Sequence, residues 1–328
     1  MIRFGTLGAA RITPGALIYP CMNEPRVLVT AMAARDRTRA ESFAEAHHIS
    51  RVYDRYEEVI ALNDIQAIYN PLPISAHCEW TLKALDAGKH VLCEKSFASN
   101  AREAELMHQR ALDSGLVLMD AFHYRYHPVF IRAKEIFDSG QLGVISSIDA
   151  VFCVPVKSAT DIRMNYDTGG GVTMDIGCYP ISWVRHLTGK EPVDVEASAV
   201  VGPPDVDLSL DARMVFDDGL VATTHGDMRE SVSMTACITV IGDRGEMVVE
   251  NPIAPQLGHL ITLTVDGETS YETRDRRPSY CYQLDAFIDA IESNTPMYTD
   301  SADAVKQMAL IDRCYLAAGL PIRGEARE

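Results

Sequence analysis

The sequence lacks any apolar run approaching the roughly 18 residues that a membrane-spanning helix needs. It also lacks paired cysteines. The eight it has, at positions 21, 78, 93, 153, 178, 237, 281 and 314, are scattered singly. There is no CxxC pair and no Cys/His cluster at zinc spacing, so no metal site is expected. Reduced thiols in a cytoplasmic protein are the expectation. Positive charge is scarce: 30 Lys and Arg stand against 46 Asp and Glu, for a net charge of −16. That balance argues against nucleic acid or an anionic membrane as a general partner, and leaves room for a small anionic ligand held by a local basic cluster. Repeats, low-complexity tracts and long linkers are absent as well. The first residues, Met1-Ile2-Arg3-Phe4-Gly5-Thr6-Leu7-Gly8, already read as a strand, so no signal peptide is expected. What is present is 47% hydrophobic residues over 328 positions, enough for ordinary cores and about two domains.

The most informative stretch is Val91-Leu92-Cys93-Glu94-Lys95-Ser96. Three apolar residues followed by a carboxylate and an amine describe a buried strand that delivers charge at its end. In open α/β sheets the carboxyl ends of the strands border the ligand crevice. An ion pair at a surface strand end is the plainer alternative.

An apolar strand at residues 2–7 leads into Gly8-Ala9-Ala10-Arg11-Ile12-Thr13, a degraded GxGxxG with Ala10 and Thr13 in the second and third glycine places. Small residues there still let backbone N–H groups and a helix N-terminus approach a pyrophosphate. A second apolar run, 27–34, ends in Ala34-Arg35-Asp36-Arg37-Thr38-Arg39. This is where a dinucleotide fold places its ribose selector. Arg35 there suits the 2′-phosphate of NADP. Asp36 could instead serve as the acid that binds NAD, but it also reads as the N-cap of a helix over 38–46, and NADP is favoured over NAD. Three cations at a helix start oppose its dipole and need a reason. Further runs at 51–53, 65–69, 91–93 and 116–121 alternate with helical segments, so six strands predict a doubly wound parallel sheet. Asn70-Pro71-Leu72-Pro73 stops one of them, and Asn100 with Glu103 is a capping signal.

His123-Tyr124-Arg125-Tyr126-His127-Pro128 leads into the second half and could line a pocket or form a packed hinge. Gly169-Gly170-Gly171 precedes a helical segment at 172–188. On a helix Asp175 and Tyr179 share a face, and Pro180 should kink it or start a new turn. A buried Tyr bonded to a neighbouring Asp is the plain reading of that pair. Asp217-Asp218-Gly219, Gly242-Asp243-Arg244-Gly245 and Asp266-Gly267 are hairpin signals of an antiparallel sheet. Pro203-Pro204 reads as a loop.

Taken together, Gly8-Ala9-Ala10-Arg11-Ile12, Tyr69-Asn70-Pro71-Leu72-Pro73, Gly88 to Lys95, the three glycines and Asp175-Ile176-Gly177-Cys178-Tyr179-Pro180 resemble the Gfo/Idh/MocA oxidoreductase family. The similarity is greatest to its dimeric dihydrodiol dehydrogenase and NADP-dependent D-xylose 1-dehydrogenase branch. It implies an α/β chain with an NADP-binding Rossmann domain at 1–122. A second α/β domain at 123–328 would carry a large open, mostly antiparallel sheet and the substrate site, and that sheet would join a homodimer or higher homo-oligomer. The cofactor residues it implies are Gly8, Ala10, Arg11, Ile12, Arg35, Arg39, Pro71, Leu72, His77, Glu94 and Lys95. The catalytic residues are Lys95, Tyr179 and Asp175. The chain departs from the family's Glu-Lys-Pro at Ser96. A cis peptide before a residue other than proline costs about 2.5–4 kcal/mol, so a trans bond is expected there.

The implied reaction moves a hydride between nicotinamide C4 and the carbinol carbon of a sugar, cyclic polyol or vicinal diol. A phenol ionises near pH 10, and a nearby ammonium lowers that value, so Lys95 would assist Tyr179 as acid/base. Reduction of an imine or keto-sugar would use the same groups. A dinucleotide-binding regulator without chemistry is the alternative from another class.

Overall fold

The computed structural model describes residues 1–202 and 205–325; Pro203-Pro204 and the last three residues lie outside the described residues. The chain forms two compact units, one of Met1–His123 with Tyr280–Val305 and one of Tyr124–Ser279 with Lys306–Glu328.

The first unit contains β1 (Ile2–Leu7), α1 (Tyr19–Met22), β2 (Val27–Ala33), α2 (Arg37–Ala46), β3 (Arg51–Tyr53), α3 (Tyr56–Ile60), β4 (Ala67–Asn70), α4 (His77–Asp86), β5 (His90–Cys93), α5 (Ala101–Ser114) and β6 (Leu118–Asp120). All six strands are parallel, in the order β3-β2-β1-β4-β5-β6. This is the doubly wound sheet that the sequence predicts, with its topological switch between β1 and β4. The strands are nearly continuous apolar runs because helices cover both faces. The caps fall where the side chains allow. Asp36 accepts the backbone N–H of Arg39 at 3.0 Å and starts α2. Asn100 accepts that of Glu103 at 3.0 Å and starts α5, which Gly115 closes in the left-handed conformation. The returning segment adds to this unit: Phe287 packs on Phe4 with ring centroids 5.8 Å apart, and the Thr299 carbonyl accepts the Asp120 N–H at 3.0 Å.

The second unit holds α6 (Pro128–Asp138), β7 (Ile145–Cys153), α7 (Cys178–Thr188), β8 (Asp194–Gly202), β9 (Val206–Val215), β10 (Val221–Asp227), β11 (Thr235–Gly242), β12 (Gly245–Glu250), β13 (Leu260–Val265) and β14 (Glu268–Glu272). Helix α8 (Ser279–Ser293), which from Tyr280 on belongs to the first unit, and helix α9 (Ser301–Ala317), which passes into the second at Lys306, follow in the chain. The eight strands run in the order β14-β13-β12-β11-β7-β10-β9-β8. Only β7 and β10 pair in parallel; the other neighbours are antiparallel. All three hairpin signals fall at turns between strands. At Asp266-Gly267 both residues have positive φ (50° and 88°), the mirror-image turn that matches strand twist. One face of the sheet is buried through Ala150, Phe152, Ala212, Met214, Ala222, Ile238, Val240, Met247 and Val249, and α7 packs against it through Tyr179 and Trp183.

The helical segment over 172–188 is interrupted, as Pro180 leads one to expect. Thr173–Gly177 is a widened π-type turn, and a regular helix begins at Cys178. Pro180 has no N–H to give to residue 176, so the regular ladder cannot run through this point.

Candidate active site

In the first unit the strand ends gather the cofactor candidates. Gly8 closes β1 with φ 85° and donates its N–H to the Ala33 carbonyl at 2.7 Å. A Cβ at Gly8 would stand 3.3 Å from Leu72 Cδ2 and 4.0 Å from the Tyr56 hydroxyl, so the bare backbone leaves a narrow cradle beside β4. Arg39 reaches back over this turn and donates to the Ala9 carbonyl at 2.6 Å. Burial pushes the Tyr56 phenol up, against the pull of the Arg35 and Arg39 charges nearby. Two guanidinium charges and a phenol therefore lie near one another just past β2. Asp36 is engaged as the cap of α2. Ala10 is half-buried, while Arg11 and Ile12 are exposed at the mouth of the turn.

A second group lies at β4, β5 and β6. Pro71 is buried, and the Leu72 carbonyl meets His77 Nε2 at 2.7 Å. His77 Nδ1 meets the Ser96 carbonyl at 2.9 Å. A neutral imidazole has one N–H and donates to one of these two oxygens. Burial, with a smaller push from the Lys95 charge, lowers the His77 pKa to about 4. The Lys95–Ser96 peptide is cis, against the trans bond expected from serine. Ser96 is buried there, with its carbonyl 2.9 Å from His77 Nδ1. Glu94 is buried and accepts the Tyr69 hydroxyl at 2.7 Å. Lys95 is half-buried. Asp120, paired in register with Cys93, feels the charges of Glu94 and Lys95. It is almost wholly buried, its Oδ1 has no hydrogen-bond partner, and desolvation raises its pKa well above the carboxylate range.

In the second unit Tyr179 is buried, edge-on to Phe152 at 5.5 Å between centroids, with Tyr124 at 6.0 Å and Trp183 at 6.4 Å. Asp175 sits one turn earlier and is bonded by the Arg163 guanidinium, which also reaches Asp161 at 3.1 Å.

Thus Gly8, Arg35, Arg39 and Leu72 come together at one end of the parallel sheet. Leu72, His77, Glu94 and Lys95 form its neighbouring corner. Reading the sequence missed Tyr56, Asp120 and Arg163. Asp120 carries the same signal as Glu94, an acid at the end of an apolar run. Tyr56 and Arg163 carry none, because each meets its partner only through the fold.

Comparison with known proteins places the chain. Residues 2–122 match an oxidoreductase family with an NAD-binding Rossmann fold, and residues 130–248 match the GFO/IDH/MocA C-terminal domain. The chain is 31% identical over 316 residues to D-xylose 1-dehydrogenase (NADP(+)) 2 of Haloferax volcanii, covering 96% of this chain and 97% of that one. It is 33% identical to trans-1,2-dihydrobenzene-1,2-diol dehydrogenase of Xenopus tropicalis over 183 residues, 56% of this chain and 55% of the other. A solved 3-ketoreductase from Actinomadura kijaniata in complex with NADP and TDP-benzene superposes with a TM-score of 0.89 at 28% identity, over 96% of this chain and 97% of that one. The chain belongs to the GFO/IDH/MocA oxidoreductase family.

Proposed function

We propose that the protein is an NADP(H)-dependent oxidoreductase acting between a hydroxyl and a carbonyl carbon of a sugar, cyclic polyol or vicinal diol. The observation that carries this reading is Arg39 bonded to the glycine turn, with the Arg35 charge close by, while Asp36 is spent as a helix cap. Guanidiniums at that place suit a 2′-phosphate, and the bare Gly8 turn suits the pyrophosphate. Gly8, Ala10, Arg11 and Ile12 would hold the phosphates. Pro71, Leu72, His77 and Glu94 would shape the nicotinamide end. Residues 1–122 then serve the cofactor, and 123–328 serve the substrate and self-association.

When bound, the dinucleotide supplies the hydride chemistry. The chain's own residues handle the proton. Tyr179 holds and moves the proton of the substrate hydroxyl at its phenol oxygen, and Lys95 is the cation that favours the phenolate. Asp175, oriented by Arg163, fixes the substrate hydroxyl. The resemblance to a 3-ketoreductase favours keto-sugar reduction as the second reading. The outward face of the mixed sheet, with half-buried Val151, Cys237 and Val248 among polar pairs such as Thr223–Asp149 at 2.6 Å, is the surface for a homodimer. Sedimentation equilibrium tests that. Eight free thiols fit a cytoplasmic setting, and among the described residues no helix is long and apolar enough to cross a membrane.

The test is turnover of aldopyranoses and trans-1,2-diols with NADP by Lys95→Ala and Tyr179→Phe. Each should lose ~100-fold or more in kcat while still binding NADPH. Near-normal turnover in both would remove the assignment.

A further inference from the structure

We propose that Arg323 is a positioning residue for the acid/base group: with Asp207 it fixes the turn from which Asp175 and Tyr179 are presented. The proposal rests on the catalytic reading of those two residues. Arg323 is only 2% exposed, although it lies near the end of the chain. Its Nη2 donates to Asp207 Oδ1 at 2.5 Å and its Nε to the Gly170 carbonyl at 3.2 Å. The guanidinium lies over the rings of Tyr166 and Tyr315, at 4.3 and 4.6 Å from their centroids.

Asp207, on β9, is fully buried and uses both oxygens. Oδ1 also accepts the Tyr315 hydroxyl at 3.2 Å, and Oδ2 accepts the Thr173 backbone N–H at 2.8 Å. Thr173 is the first residue of the widened turn that holds Asp175 and runs into α7, where Tyr179 is second. On the other side, Gly170 donates to the Asn165 carbonyl and Gly171 to the Arg163 carbonyl, each at 2.9 Å. The Arg163 side chain then grips Asp175. Gly171 has φ 123°, and a Cβ there would collide with Asp207 Oδ1 and Arg323 Nη2. One guanidinium and one carboxylate therefore hold both limbs of the turn.

A buried ion pair is a poor source of stability compared with packed apolar side chains, so its presence here calls for a geometric reason. Proton transfer supplies one, since small misplacements of a catalytic group cost large factors in rate. Only the planar fork of arginine serves a carboxylate and a carbonyl at right spacing; lysine keeps the charge and loses the second fixed contact.

The test uses the full chain with Arg323→Lys. Amide hydrogen exchange over residues 169–179 should quicken, and kcat on the fastest diol or pyranose substrate should fall ~10-fold with unchanged NADPH affinity. Unchanged exchange overturns the proposal, and so does faster exchange with wild-type kcat. If Arg323→Lys folds poorly, Arg323→Met combined with Asp207→Asn removes both charges together; a folded double variant with wild-type kcat also overturns it. Tyr179→Phe is the control that separates the two claims. Normal turnover in Tyr179→Phe defeats the catalytic reading itself, whereas its loss beside a normal Arg323→Lys defeats only the positioning role.

Discussion

The two units build their candidate sites by different means. In the parallel unit the groups sit at strand ends, where the sheet itself sets their spacing and a short motif carries each one. In the mixed unit Asp175 and Tyr179 sit at the junction of a glycine loop, a widened turn and a helix. That junction is held by side chains from distant parts of the chain, with Asp207 and Arg323 separated by 116 positions in the sequence. A strand end is positioned by backbone hydrogen bonds that any sequence can make. A loop–helix junction is positioned by specific charges, and it should be the more fragile of the two.

The sharpest way to break this comparison is Asp207→Ala. It leaves the Arg323 guanidinium buried without its carboxylate, and breaking such a pair costs about 3–5 kcal/mol. Chemical denaturation should show that loss, while NADPH affinity in the folded variant is kept. Equal stability to wild type would show that the junction is not held by this pair.

The strand-end site has its own sensitivity, to pH. His77 has a folded pKa of about 4, below its ordinary value of 6.5, so the fold favours the neutral ring. That contribution is present in full above pH 6.5 and is lost as pH falls towards 4, up to about 3 kcal/mol. Urea unfolding at pH 7 and pH 5 should show wild type losing stability and His77→Gln losing less. A smaller effect is expected at the cap: Asp36→Ala should cost about 1 kcal/mol and leave the NADPH preference intact. Loss of cofactor preference in that variant would mean that Asp36 does more than cap α2. Asp120→Asn should act in the opposite direction. Burial holds Asp120 protonated, so folding must take up a proton as pH rises above the ordinary carboxylate value, and stability falls with pH. Asparagine mimics the protonated acid, so the variant should be at least as stable as wild type at pH 8 and flatter in its pH dependence.

Much of the parallel unit was legible in the sequence. Apolar runs ending in Gly8, Arg35, Asn70 and Glu94 mark strands and the edge where they deliver side chains. The Asp36 and Asn100 caps are local, three residues from the N–H groups they accept. In the mixed unit the hairpin turns were legible for the same reason. The rest was not. Tyr56 comes near the Arg35 charge only because α3 packs beside β2. Arg163 and Arg323 find Asp175 and Asp207 through loop closure, which leaves no period or spacing to read. The cis bond at Ser96 also had no local signal, because serine gives none.

The central claim is that the chain selects NADP through Arg35. The direct measurement is titration of the wild-type protein and of Arg35→Ala with NADPH and with NADH, followed by quenching of Trp and Tyr fluorescence. The account predicts wild-type binding of NADPH at least tenfold tighter than NADH, about 1.4 kcal/mol, with the gap closed in Arg35→Ala. Equal or reversed affinities in the wild type would contradict it and return the selector role to Asp36.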